Sequence, residues 1–274
     1  MSSRQSSVPI VLTIAGSDSS GGAGIQADLK TFSALGAYGA SVITALTAQN
    51  TQGVTAIHTP PASFVTAQMD AVFQDLTVDA VKLGMLGNAE VVRAVAAGLR
   101  QYKPRFVVLD TVMISKSGHA LLQPDAVAAL RDELLPLADL ITPNLPEAAA
   151  LLGVEPATDE REMEQQAQAL RALGARHVLV KGGHLASDLS PDWLVSATGV
   201  ERFTAPRIAV HNTHGTGCTL SAALAALRPR RHDWSDTVRD AKAYLNGALA
   251  ASDTLHIGHG VGPVHHFHAV WSKG

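Results

Sequence analysis

The segment from Asn212 to Ser221, Asn-Thr-His-Gly-Thr-Gly-Cys-Thr-Leu-Ser, joins a Gly-x-Gly turn to the start of a strongly apolar helical stretch. The first N–H groups of a helix have no partner within it, and the helix dipole adds partial positive charge at the same end. Such an end binds anions readily. We therefore expect these backbone N–H groups to stabilise a phosphoryl group during its transfer. They belong to Gly215, Thr216, Gly217 and Cys218.

Cys218 is the single cysteine of the chain, and it falls in the first turn of this predicted helix. A helix N-terminus lowers the pKa of a thiol, which would give Cys218 thiolate character and a catalytic role. A lone cysteine is also commonly a small buried apolar residue. The sequence leaves both interpretations open.

Two carboxylates follow segments that predict strand ends. Asp110 comes directly after Phe106-Val-Val-Leu, and Glu147 ends the segment Thr-Pro-Asn-Leu-Pro-Glu. Asn144 in the same segment is a natural N-cap for the next helix. Together Asp110, Asn144 and Glu147 suit Mg²⁺ held through water. The structural alternative for Glu147 is a first-turn acid that complements the helix dipole.

The first predicted strand runs into a glycine-rich segment, residues 16–24, ahead of a helix that carries Asp28. Glycines let the backbone approach a ligand closely, so this segment is interpreted as a substrate-facing loop, with a flexible turn as the alternative. A dinucleotide site is not indicated, because no Asp or Glu lies between Asp28 and Asp70 to bind a ribose hydroxyl.

Gln49 stands at the end of the second apolar run, residues 40–48. Its amide presents an acceptor and a donor side by side, which suits the amine and ring nitrogen of an aminopyrimidine. A solvated residue at a strand end is the alternative.

The elements that must position these residues are strands alternating with helices. The strand segments are continuous in Val, Ile and Leu, which indicates burial on both faces. The pattern predicts one α/β domain with a mostly parallel sheet flanked by helices on both faces, and ligands bind beyond the carboxyl ends of such strands. The predicted strands are 10–15, 40–48, 79–84, 106–109 and 177–180, with a hairpin at 192–197 and 201–204. The predicted helices are 25–35, 89–102, 124–135, 144–152, 160–173, 216–227 and 234–254.

Composition excludes several classes of protein. The 274 residues are 46% hydrophobic and 16% charged, which excludes a disordered chain. The net charge of −3, without a basic run, gives no support for nucleic-acid binding. No apolar run reaches membrane-spanning length, and the polar start is not a signal peptide, so we expect a soluble cytoplasmic protein. We expect residues 1–8 to form a disordered extension and residues 9–274 a single domain.

Seven segments of the chain together resemble one family. This is the bacterial hydroxymethylpyrimidine/phosphomethylpyrimidine kinase family of thiamine biosynthesis, which has the ribokinase-like fold. The resemblance extends from about Val11 to His268, and it is the combination of segments that is specific. The segments are 15–30, 48–51, 82–86, 109–113, 142–147, 180–184 and 214–221.

The resemblance implies a bifunctional enzyme that uses Mg²⁺ and ATP twice. It would phosphorylate the hydroxymethyl group of 4-amino-5-hydroxymethyl-2-methylpyrimidine and then convert the monophosphate to the diphosphate. The family also implies a homodimer.

The same resemblance assigns roles by matching motifs. The turn at residues 215–218 would form the anion hole, with Cys218 where many ribokinase-like enzymes carry an aspartate base. Lys181 would neutralise charge on the moving phosphoryl group, and Asp110 and Glu147 would serve the metal. The residues implied to line the pyrimidine site are Gly16, Asp28, Gln49, Met85 and Val112. The residues implied to serve Mg²⁺ and the ATP phosphates are Asp110, Asn144, Glu147 and Lys181.

Two other functions remain open from the sequence. One is a pyridoxine or pyridoxal kinase of the same fold, against which Gln49 argues, because the pyridoxal ring lacks an exocyclic amine. The other is a catalytically silent ligand-binding relative, which would have no use for Asp110, Glu147 and Lys181 beside the glycine turn.

Overall fold

The computed structural model describes residues 8–113, 124–183, 185 and 187–271. Residues 1–7 of the predicted extension lie outside the described residues, and so does His184 of the segment 180–184. Val8, the last residue of that extension, is exposed.

One nine-stranded sheet organises the molecule, in the order β3-β2-β1-β4-β5-β6-β7-β8-β9. Parallel pairing runs from β2 through β1, β4, β5 and β6 to β7. The antiparallel pairs lie at the two edges, β3 against β2 and the β8–β9 hairpin against β7. The strands are β1 Ile10–Asp18, β2 Tyr38–Asn50, β3 Gly53–His58, β4 Ala80–Leu83, β5 Val107–Leu109, β6 Leu140–Ile141, β7 Val178–Lys181, β8 Leu189–Val195 and β9 Val200–Pro206.

Helices cover both faces of this sheet because successive strand side chains point to opposite sides. Leu12 and Ile14 of β1 pack in the larger core with α2 to α6, whereas Val11 packs in the smaller core with α1, α7 and α8. The predicted α/β class with a mostly parallel, doubly flanked sheet is confirmed. The helices are α1 Gly24–Ala34, α2 Ala62–Asp75, α3 Ala89–Tyr102, α4 Pro124–Ala129, α5 Leu145–Leu152, α6 Glu160–Ala172, α7 Thr216–Leu227 and α8 Trp234–Ala250.

Two predicted helices end earlier than expected. The helix predicted over 124–135 is α-helical only in α4, continues as a π-helical turn at Leu130–Leu134 and ends in a 3₁₀ turn at Leu135–Leu137. Pro136 lies in that last turn, and a proline ring cannot continue an α-helix. The helix predicted over 234–254 stops at Ala250 and is followed by a 3₁₀ turn. In the described part of the chain, no helix combines the length and apolar character that spanning a bilayer requires.

Candidate active site

The carboxyl ends of the parallel strands and the N-terminus of α7 enclose a cavity of about 680 Å³. It lies beside β1, where the chain adds β2 on one side and then β4 on the other. Such a switch in strand order is where open α/β sheets bind ligands. The structure brings every residue that the sequence predicted for the site, except Asp28, to this cavity. These residues are Gly16, Gln49, Met85, Asp110, Val112, Asn144, Glu147, Lys181, Gly215, Thr216, Gly217 and Cys218.

The two glycine-rich segments meet at this cavity through direct backbone packing. Gly215 has φ of 80°, and a Cβ there would lie 1.9 Å from the carbonyl oxygen of Gly22. A Cβ at Gly22 would lie 2.5 Å from Cδ2 of His214. Only glycine permits both the left-handed backbone and this approach, so the two segments form one surface.

Helix α7 begins at the glycine turn, as the sequence predicted, and its first residues line the cavity. Gly215 is its N-cap and offers no side chain, so no side-chain hydrogen bond caps the first turn. A Cβ at Gly217 would lie 3.6 Å from Lys181 Nζ and 3.7 Å from Asp110 Oδ2. Free N–H groups and a lysine ammonium therefore face the same part of the cavity.

Lys181 and Asp110 form an ion pair at the ends of β7 and β5. Nζ donates to Oδ1 over 3.2 Å, and the Asp110 carboxylate also accepts hydrogen bonds from Thr142 and Ser221. Burial favours the protonated acid, but the charges of Lys181 and Lys82 outweigh it and hold the pKa of Asp110 below its ordinary value. Asp110 is thus an anion with several donors.

Glu147 and Asn144 form a capping box at the start of α5. Asn144 Oδ1 accepts from the Glu147 N–H, and Glu147 Oε2 accepts from the Asn144 N–H, each over 2.9 Å. The predicted N-cap and the structural interpretation of Glu147 are confirmed, yet Glu147 also lines the cavity. Burial raises the pKa of Glu147 to about 7, with Asp110 adding to the effect and Lys181 opposing it.

Asp110 and Glu147 are the two carboxylates that the sequence predicted for a metal, and both line this cavity. No group of three or more His, Cys, Asp or Glu side chains suited to a metal occurs among the described residues. Two carboxylates fit Mg²⁺, which prefers oxygen and keeps several waters or substrate phosphates in its shell. They do not fit an ion that needs a full set of protein ligands.

Asp28, which the family's motifs placed in the pyrimidine site, does not line the cavity. Its carboxylate is fully buried, 2.8 Å from Lys82 Nζ, and accepts from Thr13 Oγ1 over 2.6 Å. Thr13 and Lys82 are register partners on β1 and β4, and α1 carries Asp28 onto them. The prediction is corrected because Asp28 is separated from the cavity by Lys82, whose atoms border the cavity although its side chain is 0% exposed to water.

Cys218 lines the cavity, but the expectation of a thiolate is wrong. Burial raises the pKa of the thiol to about 11, and the carboxylates of Asp28 and Asp110 add to this shift. Lys82 acts in the opposite direction without reversing it. The thiol is therefore neutral at physiological pH, because desolvation disfavours its charged form.

Gly16, Met85 and Gln49 form the side of the cavity away from Lys181. Gly16 N donates to the Met85 carbonyl over 3.0 Å, and a Cβ at Gly16 would lie 2.5 Å from Met85 Cε. Gln49 is half-buried, with Nε2 3.3 Å from Nε2 of His214. It is therefore packed against the glycine turn and is not a freely solvated strand end.

Several polar residues that line the cavity had no role predicted from the sequence, among them Asp18, Lys82 and His214. Lys82 carried a usable signal, because a lysine within a buried apolar strand requires a partner. Asp18 accepts from the Ala23 N–H over 2.8 Å and holds the glycine loop in shape. Nothing in the sequence indicated its contact with His214.

Helices flank both faces of this α/β sheet, and its strand ends bring a free helix N-terminus, a lysine and two carboxylates to one cavity. This combination defines a small-molecule kinase. The model of the phosphomethylpyrimidine kinase family matches residues 18–265. The chain belongs to this family. The family and the kinase class predicted from the sequence are confirmed.

Three relatives illustrate the match. The chain is 63% identical over 260 residues to the hydroxymethylpyrimidine/phosphomethylpyrimidine kinase of Escherichia coli K12, covering 95% of this chain and 98% of that one. The crystal structure of phosphomethylpyrimidine kinase from Clostridium difficile 630 has a TM-score of 0.79 at 42% identity and covers 88% of this chain and 99% of that one. The ADP complex of Bacillus subtilis pyridoxal kinase has a TM-score of 0.88 at 35% identity, with coverages of 95% and 98%. Pyrimidine and pyridoxal kinases thus share this fold, so the side chains of the site must determine which of the two substrates an enzyme uses.

Proposed function

We propose that the protein phosphorylates 4-amino-5-hydroxymethyl-2-methylpyrimidine with ATP and then phosphorylates the monophosphate to the diphosphate, as a step of thiamine biosynthesis. One observation carries the proposal: the uncapped N-terminus of α7 and Lys181 face the same cavity as Gln49. The cavity therefore contains groups that can stabilise a phosphoryl group and a side chain that can recognise an aminopyrimidine.

The transfer requires in-line positioning and neutralisation of charge more than covalent help from the protein. The N–H groups of Gly217 and Cys218, with the ammonium of Lys181, supply fixed positive charge for the moving group. Asp110 keeps Lys181 protonated and within 3.2 Å. Asp110 and Glu147 would hold Mg²⁺, which when bound neutralises charge on the ATP phosphates.

Substrate recognition is assigned to the opposite side of the cavity. Gln49 pairs with the amine and the ring nitrogen of the pyrimidine, and Met85 and Val112 offer apolar surface to the ring. Gly16 allows the ring to approach the backbone of β1. This arrangement favours the pyrimidine over pyridoxal, whose ring offers no exocyclic amine to the glutamine.

A neutral thiol at Cys218 suits the second phosphorylation. The acceptor in that step is itself a phosphate, which a carboxylate at this position would repel. The pKa of about 11 keeps Cys218 uncharged, so it contributes its N–H group without opposing the incoming anion.

The assembly is proposed to be a cytoplasmic homodimer. Leu46, Ile57 and Phe64 are large apolar side chains that stay exposed on β2, β3 and the start of α2, and a second copy would cover them. The lone Cys218 has no partner for an internal disulfide, as expected in a reducing compartment. Light scattering of the wild type and of Leu46→Lys tests the dimer, which the variant should weaken.

The activity is tested by incubating the purified protein with Mg²⁺, ATP and the hydroxymethylpyrimidine, with pyridoxal in a parallel tube, and weighing the products by mass spectrometry. Two successive phosphate additions to the pyrimidine are expected. One addition only, or phosphate on pyridoxal alone, would contradict the proposal. No phosphate on either compound would indicate the catalytically silent relative.

A further inference from the structure

The side-chain amide of Gln49 lies between two polar groups. Its Nε2 faces His214 Nε2 at 3.3 Å, and its Oε1 faces Thr47 Oγ1 at 3.2 Å. The backbone of Gln49 is held by Ser19, whose hydroxyl accepts from the Gln49 N–H and donates to the Gln49 carbonyl. The side-chain amide can take either of two orientations that differ by a half-turn. Its hydrogen bonds to neighbouring groups decide which end is the oxygen and which is the nitrogen.

On the His214 side, Asp18 decides the position of the proton. His214 Nε2 lies 2.8 Å from Asp18 Oδ2. Burial acts to raise the pKa of Asp18, but hydrogen bonds from His214 and Ser20 lower it to about 2, so the carboxylate is ionised and only accepts. His214 Nε2 therefore carries a hydrogen. An N–H of Gln49 facing it would set donor against donor.

On the Thr47 side the conflict is the reverse. The Thr47 hydroxyl has one hydrogen, and it points to the Ser17 carbonyl over 2.8 Å. Only lone pairs of Thr47 Oγ1 remain for Gln49, and Oε1 facing them sets acceptor against acceptor. A half-turn of the amide removes both conflicts. Oε1 then shares, over 3.3 Å, the Nε2 hydrogen that His214 donates to Asp18 over 2.8 Å, in a three-centre hydrogen bond, and Nε2 of Gln49 donates to Thr47.

We infer that the Asp18–His214 pair and Thr47 are positioning residues that fix the Gln49 amide with its oxygen toward His214 and its nitrogen toward Thr47. This inference rests on the proposed pairing of Gln49 with the pyrimidine. Oε1 and Nε2 each keep one unused position for substrate. The exocyclic amine of the ring then lies on the His214 side and the ring nitrogen on the Thr47 side.

Fixing the amide makes it selective for the order of donor and acceptor. In the 4-oxo analogue of the substrate, a carbonyl replaces the amine and the neighbouring ring nitrogen carries a hydrogen, so the order is reversed. A fixed amide mispairs with this analogue at both ends. A freely turning amide pairs with it as well as with the natural substrate.

The test is the ratio of kcat/KM for the amino substrate to kcat/KM for the 4-oxo analogue, measured by first-step phosphorylation. His214→Met removes the donor, and we expect this ratio to fall by about tenfold, the scale of one mispaired buried polar group. His214→Gln can place an N–H near the same point and should retain most of the ratio. Thr47→Val removes the opposite contact and should also lower the ratio, which keeps the test available if His214→Met folds poorly.

His256→Gln, a change at an exposed histidine away from the cavity, is the matched control and should keep the wild-type ratio. An unchanged ratio in folded His214→Met and Thr47→Val would overturn the inference while the kinase activity stands. A wild type that leaves the amino substrate unphosphorylated would instead overturn the proposed function.

Discussion

Two lysine–aspartate pairs flank the N-terminus of α7, and they differ in how far water reaches them. Lys82 and Asp28 lie 2.8 Å apart with both side chains 0% exposed. Lys181 lies 3.2 Å from Asp110 with 15% of its side chain exposed. The same two residue types therefore make a sealed pair on one side of Cys218 and an accessible pair on the other.

The other partners of each aspartate explain the difference. Asp28 accepts from Thr13 and Lys82, so of these two only the neutral Thr13 hydroxyl would remain for the buried carboxylate if Lys82 left. Asp110 also accepts from Thr142 and Ser221, so it stays hydrogen-bonded when Lys181 turns to a ligand. The sealed pair is therefore structural, whereas the accessible pair suits the role in phosphate handling that is proposed for Lys181.

The largest expected effect is on stability, in the sealed pair. Asp28→Leu leaves Lys82 charged in the interior without its salt-bridge partner, which should lower the free energy of unfolding by about 3–5 kcal/mol. Adding Lys82→Met should restore most of the loss, because well-packed apolar residues replace buried ion pairs at little cost. Urea unfolding of both variants measures this. Equal losses in the single and double variants would show that charge is not the cause.

Next is the accessible pair, where the expected loss is in rate. Lys181→Met should lower kcat by about 10²–10³-fold, the usual effect of removing one fixed donor to a transition state. Stability should change little, because Asp110 keeps its other donors. Steady-state kinetics with both substrates saturating tests this, with exposed Lys103→Met as the control. A loss of folding equal to that of Asp28→Leu would erase the distinction between the pairs.

In contrast to these charged pairs, His266 is a buried titratable group that stays neutral. His266 lies 3.1 Å from the Thr219 hydroxyl of α7, and burial, with the charge of Lys30, lowers its pKa to about 3. The unfolded chain binds a proton here below about pH 6.5, but the native chain does not, so the contribution of His266 to stability falls as pH drops from 6.5 toward 3. The loss should be about 2 kcal/mol at pH 5.

Urea unfolding of wild type and His266→Gln between pH 7 and pH 4 measures this contribution as the difference between the two proteins. Glu147, with its pKa of about 7, titrates over the same range in both and cancels in that difference. The exposed His259→Gln should keep the pH dependence of the wild type. The same pH dependence in His266→Gln and wild type would mean that the histidine is protonated in the native state.

The smallest expected effect is a difference between the two reactions. Cys218 lies between the pairs, and Cys218→Asp would place a carboxylate there in addition to Asp28 and Asp110. The second phosphorylation should lose about tenfold more activity than the first, an electrostatic penalty near 1.4 kcal/mol. Separate assays with the hydroxymethyl compound and with its monophosphate test this, and Cys218→Ser is the neutral control. Equal losses in the two assays would rule out charge repulsion.

The sequence predicted most of the strands and helices and missed α2, β3 and β6, whose patterns are weak or too short. The central strands have continuous Val, Ile and Leu because both faces are covered. Helix α2 buries only Val65 and Met69, and β3 is largely exposed, so neither has a strong pattern. Strand β6 has two residues, too few for any periodicity.

The positions of site residues at strand ends were predictable, because the carboxyl ends of parallel strands lie at the same edge of the sheet. The partnership of Asp28 with Lys82 was not, since it depends on the register that sets Thr13 beside Lys82. The neutral state of the Cys218 thiol was not predictable either. It depends on how deeply the start of α7 is buried, which tertiary packing determines. The sequence identifies chemical groups, and their surroundings determine their charge.

The contact between the glycine loop and the start of α7 also has a consequence for synthesis. Asp18 and His214, which join these two segments, are 196 positions apart. During translation most of the sheet can pair before the α7 turn exists, and closing so long a loop is slow. A nascent chain that stops short of His214 would hold its strands but have no place for a phosphate. Catalytic competence therefore arises late, when the last quarter of the chain docks onto the first.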